Sequence, residues 1–163
     1  MPEKLELLLK GVFAASASLA LLYAGLTVLP RLSGYEPYAV TSGSMEPAIH
    51  KGSLIYVNTN DRLPQVGKVM TCRTSLLEGA MPVTHRVFEI EENGDLVLKG
   101  DANRTPDPNR ITSEQIIGTV VKSIDHLGVL IHKSGLRTLP LLGMGLSAAG
   151  TLILNQTIRK KGA

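Results

Sequence analysis

The chain has 163 residues and a formal net charge of +3, from 17 Lys and Arg against 14 Asp and Glu. So small a basic surplus argues against a nucleic-acid binder, in which basic residues cluster on one face. The single cysteine excludes an intramolecular disulfide and a cysteine-based zinc cluster, and a content of 44% hydrophobic and 19% charged residues excludes intrinsic disorder.

The first apolar run covers residues 11–29, which contain no charged side chain. A helix of that length measures roughly 28 Å, close to the thickness of the hydrocarbon core of a membrane. A cleaved signal peptide is the alternative, but the small residues Ala15 and Ala17 lie inside the run, which is long for such a segment. We therefore predict an uncleaved transmembrane helix at 11–29, preceded by a cytoplasmic N-terminus at 1–10.

The segment between residues 31 and 138 predicts a β domain. It contains short alternating or β-branched runs separated by turn-forming residues, which is typical of strands. The pair Asn93-Gly94 between two of these runs indicates a hairpin with a type I′ turn, in which both residues have positive φ. An antiparallel sheet or small barrel of about 100 residues is the natural interpretation. The predicted strands cover residues 38–42, 53–57, 66–73, 83–91, 96–99, 116–124 and 127–131.

A second, weaker apolar run covers residues 139–158. Asn155 and Gln156 shorten its apolar part to about 16 residues, and a core helix of the β domain is the alternative interpretation. The basic residues 159–161 follow at once and are typical of a stop-transfer flank. We predict a second transmembrane helix here, followed by a basic cytoplasmic tail at 159–163.

The lysines and arginines near these two runs predict an orientation. Five of them flank the outer ends of the runs and three flank the inner ends. Because basic residues are retained on the cytoplasmic side, both termini are predicted to be cytoplasmic. The β domain at 31–138 would then lie on the extracytoplasmic side of an integral protein of the cell membrane.

The segment Ser42-Gly43-Ser44-Met45-Glu46-Pro47 contains a candidate nucleophile. By itself it reads as an ordinary turn. Gly43 permits an unusual backbone turn that would expose the Ser44 hydroxyl, but a serine also needs a base to be nucleophilic at neutral pH.

Among the four histidines His85 is the candidate base, because it lies inside a predicted strand between apolar residues. His50, His126 and His132 are interpreted as surface residues, and a packed strand histidine is the alternative for His85. A carboxylate should orient the imidazole. The candidates are Asp101 and Asp107, each of which could also be a turn former.

Three motifs in a fixed order are more specific than any of these residues taken alone. S-G-S-M-E-P follows the N-terminal apolar run, T-H-R-V comes next, and K-G-D-A-N-x-T-P-D-P comes last. Together they resemble the type I signal peptidases over residues 39–131. The resemblance is greatest to the branch with histidine in place of lysine, found as the catalytic subunit in the endoplasmic reticulum, in archaea and in some Gram-positive bacteria.

The resemblance implies a role for each motif residue. Ser44 would be the nucleophile and His85 the general base, with Asp107 orienting His85 and Asp101 in support. The Ser44 backbone N–H and the Ser42 hydroxyl would bind the oxyanion, while neither a cofactor nor a metal is implied. Met45 would either face lipid or substrate at the rim of the site or be an ordinary packing residue.

The substrates implied are signal peptides of exported preproteins, cut after small residues at −1 and −3 and bound as an added strand. Tyr35 and Tyr38 would lie at the membrane interface or pack in the domain. Membrane lipid and translocon or accessory subunits are the partners expected, with no nucleic acid. The predicted substrate-binding residues are Tyr38, Ala39, Val40, Thr41, Met81, Pro82, Val83 and Thr84.

Two alternative functions remain open from the sequence. One is a dedicated processing peptidase that serves a few secreted substrates. The other is a membrane-anchored β module that binds exported chains without cutting them, although the presence of Ser44, His85, Asp101 and Asp107 argues against it.

Overall fold

The computed structural model describes residues 2–75, 81–131, 145, 148–150 and 152. The chain divides into two compact units, residues 1–28 with 133–163 and residues 29–132. Apart from the isolated residues at 145, 148–150 and 152, the predicted span at 139–158 and the tail at 159–163 lie outside the described residues. The second transmembrane helix therefore stays a prediction.

The N-terminal helix α1 runs from Pro2 to Thr27 and includes most of the predicted span. Together with the short helix α2 at Leu29–Leu32 it forms an apolar stretch, Glu3–Leu32, in which an 18-residue window has a mean hydropathy of 2.0 and is only 6% buried. Its hydroxyl groups bond along the helix, as Thr27 Oγ1 donates to the Tyr23 carbonyl at 2.7 Å. By length and composition this stretch can cross a membrane.

The second unit contains an antiparallel sheet, so the predicted β fold is confirmed. Seven strands of the described part of the chain pair in the order β1-β2-β7-β3-β4-β5-β6. All of these pairings are antiparallel. The strands are β1 (Tyr35–Ala39), β2 (Leu54–Asn58), β3 (Val69–Arg73), β4 (Pro82–Ile90), β5 (Leu96–Lys99), β6 (Arg110–Ile111) and β7 (Ile116–Ile124).

The core consists of alternate strand side chains in two clusters. One cluster extends over β3 to β7 and contains Met70, Val87 and Leu98. The other combines strand residues such as Val57 with Met45 from the loop between β1 and β2. Burial of each such side chain contributes about 1.5–3 kcal/mol, and the second cluster therefore fixes that loop onto the sheet.

Two of the predicted strands differ clearly from the observed elements. The strand predicted at 38–42 is observed three residues earlier, as β1. The strand predicted at 127–131 is wrong, because Leu127–Leu130 forms a 3₁₀ helix preceded by His126 in the left-handed conformation with φ of 63°. Gly128 lies too close to the end of the loop between β1 and β2 for a residue with a side chain, since a Cβ there would lie 2.5 Å from the Ser53 carbonyl oxygen.

The hairpin between β4 and β5 is where the sequence predicts it, but the prediction of a type I′ turn is wrong. Among the described residues Gly94 has a positive φ of 88° and Asn93 does not. Glu91 N–H donates to the Asp95 carbonyl at 2.9 Å, which leaves a three-residue loop instead of two. The Asn93 side chain accepts from Asp95 N–H at 3.0 Å, and this local bond favours the longer turn.

Candidate active site

The candidate nucleophile lies on the loop between β1 and β2. Backbone bonds from Val40 N–H to the Ser53 carbonyl at 2.9 Å, and from Gly52 N–H to the Val40 carbonyl at 2.8 Å, close the base of this loop. Met45 and Ile49 are only 1% and 5% exposed. Packing of these two side chains fixes the backbone on the C-terminal side of the serine.

The structure decides two questions about this loop. Met45 is a buried core residue, which agrees with the packing alternative and not with a position at the rim facing lipid or substrate. Gly43 does not adopt a positive φ, and the nearest atom to a Cβ placed there is 3.5 Å away. The loop therefore presents Ser44 through packing of its neighbours and not through a left-handed glycine.

Ser44, His85 and Asp107 form one continuous chain of hydrogen bonds. His85 lies on β4 opposite Met70 and is 7% exposed. Its Nδ1 is 2.5 Å from Asp107 Oδ2, and its Nε2 is 2.9 Å from Ser44 Oγ. Because an ionised carboxylate only accepts, Nδ1–H donates to Asp107, and the free lone pair on Nε2 accepts from the Ser44 hydroxyl.

Ser42 lies beside the candidate nucleophile. Its Oγ is 3.1 Å from Ser44 Oγ and, since the Ser44 proton is directed to His85, the Ser42 hydroxyl is the donor of this bond. The same hydroxyl is thus close to the position where charge develops on a carbonyl oxygen under attack.

Asp101 lies apart from His85 and binds the neighbouring arginine. Arg86 donates two bonds to its carboxylate, from Nε at 2.9 Å and Nη2 at 2.7 Å, and a third to the Gly67 carbonyl at 2.7 Å. Hydrogen bonding from Arg86 holds the pKa of Asp101 below its usual value of 3.8. The structure thus brings Asp107, and not Asp101, into contact with the imidazole.

Gly100 is a site residue that the residue-by-residue reading of the sequence missed. A Cβ at this position would lie 2.6 Å from the Ser44 carbonyl oxygen and 3.0 Å from His85 Nε2. Ala102 N–H, two residues on, donates to the same Ser44 carbonyl at 2.9 Å. A glycine at a strand end signals close backbone approach, and this was the available clue in K-G-D.

The predicted substrate-binding segments lie at open strand positions. Tyr38 and Ala39 belong to β1, which is one of the two edge strands of the sheet in its described part, and residues 40 and 41 continue from it. Residues 82–84 pair with β3 on one side, whereas pairing of β4 with β5 begins only at Arg86. Met81 precedes them and is 64% exposed.

Tyr38 agrees with the packed alternative of the two interpretations. It packs against the cluster that contains Met45, and its hydroxyl donates to Glu36. Burial raises the pKa of Tyr38 above its ordinary value.

The remaining histidines lie away from the hydrogen-bonded chain. His50 is exposed, as expected, and its Nδ1 is 2.5 Å from Glu46 Oε2, which raises the pKa of His50. His126 is exposed and His132 lies outside the described residues. Within the described part of the chain no three His, Cys, Asp or Glu side chains are grouped so as to hold a metal ion.

Comparison with known proteins identifies the family. No protein-family model matches the chain. The signal peptidase complex catalytic subunit SEC11 of Lodderomyces elongisporus is 31% identical over 160 residues, covering 88% of this chain and 92% of that protein. SEC11 of Eremothecium gossypii is 29% identical over 150 residues, covering 82% and 87%. Signal peptidase I W of Bacillus subtilis is 37% identical over 92 residues, covering 53% of this chain and 47% of that protein. Since the first of these alignments spans nearly the whole of both proteins, the chain belongs to the type I signal peptidase family of serine endopeptidases.

Proposed function

We propose that this protein removes N-terminal signal peptides from exported proteins through an acyl-enzyme formed on Ser44. The observation that carries the proposal is the hydrogen-bond chain from Ser44 through His85 to Asp107, in a chain that belongs to the signal peptidase family. A serine, a base and a carboxylate in this order are the parts that acyl transfer needs.

In the proposed mechanism, His85 Nε2 accepts the Ser44 proton as Oγ attacks the scissile carbonyl carbon. Asp107 accepts the hydrogen bond from Nδ1 and stabilises the imidazolium that forms. The imidazolium then donates its proton to the leaving amine, the C–N bond breaks, and the mature protein departs. A water molecule deprotonated by the same imidazole hydrolyses the ester and restores Ser44.

The Ser44 backbone N–H and the Ser42 hydroxyl are the proposed donors to the oxyanion. The distance of 3.1 Å between the two serine oxygens supports this role for Ser42. Removal of one such donor typically lowers kcat by about 10²–10³-fold.

The substrate is proposed to bind as an extended strand alongside residues 38–41 and 81–84. Open hydrogen-bonding positions on β1 and at the start of β4 support this arrangement. Main-chain bonds in such a complex give affinity, and pockets for alternate side chains select the small residues at −1 and −3.

The membrane arrangement is also a proposal. Helix α1 anchors the protein in the cell membrane, a second span crosses at 139–158, and both termini are cytoplasmic. The domain at 31–138 is then extracytoplasmic. Ser44 follows Leu29 by 15 residues in the sequence, which lets the domain work on a substrate leaving the membrane.

Accessory subunits and the translocon are the proposed protein partners. The relatives from Lodderomyces elongisporus and Eremothecium gossypii are named as catalytic subunits of a signal peptidase complex. The relative from Bacillus subtilis carries no such designation in its name. Cleavage by the purified chain, alone and after co-purification of membrane partners, separates the two arrangements.

The test is cleavage of a model preprotein in detergent by the wild-type protein and by Ser44→Ala. We expect Ser44→Ala to remove nearly all cleavage and all labelling by a serine-directed acylating probe, because the three residues act as a unit. The exposed Ser113 supplies the matched control, Ser113→Ala, which should cleave like the wild type. Undiminished cleavage by a folded Ser44→Ala variant would refute the proposal.

A further inference from the structure

A cavity of about 640 Å³ adjoins the Ser44–His85 pair, and the mechanism above does not use it. Gly100 lines this cavity and also lies against the pair, since its Cβ position is 3.0 Å from His85 Nε2. Gly100 is therefore the residue that joins the cavity to the pair, since neither Ser44 nor His85 lines it. Its other lining residues include Pro47, Ala48, Val66, Phe88 and Lys99, with the Arg86–Asp101 ion pair.

Along β4, the cavity lies beyond His85 from the residues that are proposed to bind the signal peptide. On β4, residues 82–84 precede His85, whereas Arg86 to Phe88 follow it and line the cavity. A strand rises about 3.3 Å per residue, so the two ends of this segment extend roughly 10 Å to either side of His85.

The charges in the cavity leave a net positive potential. The Asp101 carboxylate accepts two hydrogen bonds from Arg86 and neutralises it. Lys99 lies with its Nζ 5.7 Å from the centre of the Phe88 ring. The lining thus carries two cations, Arg86 and Lys99, against the one carboxylate of Asp101, and an acidic group entering the cavity would be attracted to this net charge of +1.

We propose that this cavity binds the first residues of the mature protein, on the leaving-group side of the scissile bond, and that Lys99 favours an acidic side chain there. The inference rests on the proposed function, because the direction of the substrate follows from its signal-peptide end lying along residues 82–84. A polypeptide that crosses the nucleophile from that side must continue past His85 towards Phe88 and Lys99. Contacts with Phe88 and Val66 bind the apolar part of this segment.

The experiment uses preproteins that differ at positions +2 and +3 after the cleavage site, with Glu or Lys at both. We expect the wild-type protein to cleave the acidic substrate with a kcat/KM about twofold to fivefold higher, as surface charge pairs give. This ratio should approach one in Lys99→Gln and fall below one in Lys99→Glu. It should also shrink at about 1 M salt, where charges are screened within roughly 3 Å.

Two controls isolate the cavity. The exposed Lys122 lies on β7 and does not line it, so Lys122→Glu should keep the wild-type ratio. Charges moved to +12, roughly 33 Å further along an extended chain, should have no effect. The inference is overturned if Lys99→Glu keeps the wild-type ratio or if charges at +12 act like those at +2.

Failure of this inference differs from failure of the proposed function. Cleavage that depends on Ser44 but ignores the charge at +2 and +3 overturns only the role of the cavity. If no preprotein is cleaved, the role of the cavity is tested by the binding of a hexapeptide that represents the start of the mature protein, with Glu at its second and third positions. We expect Lys99→Glu to weaken that binding by about threefold or more, and equal affinities would refute the cavity as its site.

Discussion

Gly100→Ala is the substitution that most directly tests how the site is assembled. The added methyl carbon would lie 2.6 Å from the Ser44 carbonyl oxygen, 2.8 Å from Asn103 Nδ2 and 3.0 Å from His85 Nε2. Ordinary contacts of a Cβ begin near 3.4 Å. The Asn103 side chain can rotate away, but the Ser44 carbonyl belongs to the backbone and must move with the nucleophile.

To restore an ordinary contact, Gly100 and the Ser44 carbonyl must move apart by about 0.8 Å. A misplacement of about 1 Å lowers the rate of a positioned reaction by about 10²-fold. We therefore expect kcat/KM to fall about 100-fold. Overpacking of this kind costs about 1–3 kcal/mol of folding free energy, so the protein should stay folded with a lowered Tm.

The assay is preprotein cleavage in detergent, with Tm measured on the same samples. Gly43→Ala is the matched control, because it is adjacent to Ser44 but its Cβ meets its nearest atom at 3.5 Å. We expect the control to stay within about threefold of the wild type, as for a substitution without a steric conflict. A folded Gly100→Ala variant that is no less active than Gly43→Ala would refute the packing argument.

The remaining predictions concern the carboxylates and the thiol. Asp107→Asn should lower kcat by about 10³–10⁴-fold, as for the loss of an orienting carboxylate. Asp101→Asn should instead mainly lower the stability measured in denaturant titrations, by about 1 kcal/mol. If Asp101→Asn proved the less active of the two variants, the roles of the two aspartates would be exchanged. Because Arg86 lowers the pKa of Asp101 in the folded state, the stability from this pair is present above pH 3.8 and is lost as the pH falls through the lower folded value. Asp101→Asn should therefore flatten the decline of Tm below about pH 4, and an unchanged decline would contradict this. Burial raises the pKa of Cys72 to about 12, so the native thiol should not react with maleimide near pH 8 and should react after unfolding. Thr105→Cys should then label in intact cells with an impermeant reagent, and labelling only after the membrane is opened would reverse the proposed orientation.

The sheet could largely be predicted from the sequence because its strands are short apolar or β-branched runs, some of which are buried continuously, as in β5 and the first half of β7. The run at 116–124 coincides with β7, and that at 96–99 with β5. The strand predicted at 127–131 is wrong because a short apolar run such as the one around Val129 is compatible with a 3₁₀ helix as well as with a strand. β6 contains two residues, Arg110 and Ile111, which is too short for any periodic pattern.

The site could be predicted only in part, because its members are joined across long sequence separations. Ser44 and His85 are 41 residues apart, and His85 and Asp107 are 22 apart. The sequence around each of these residues is also compatible with a turn or a packing role. Only the order of the three motifs indicates that they belong to one site. The choice between the two aspartates depends on strand register, which the sequence does not display.

That register explains the division of roles between the carboxylates. Arg86 lies opposite Lys99 across β4 and β5, so the residues directly after Lys99 come within reach of its guanidinium. Asp101 is bound there by Arg86. Asp107 returns to the sheet at Leu98, where its N–H donates to the Leu98 carbonyl at 2.8 Å, and its carboxylate accepts the hydrogen bond from His85 Nδ1.

The nucleophile is positioned by contacts from two directions and not by a strained backbone. Met45, buried in the core, fixes the chain directly after Ser44. Gly100 and the Ala102 N–H contact the Ser44 carbonyl from the loop after β5. Because the same glycine also lies against His85, one loop sets the position of both the nucleophile and the base. Changes in that loop should therefore affect the Ser44–His85 distance more than changes at the exposed Gly43, although Gly43 is the nearer residue in sequence.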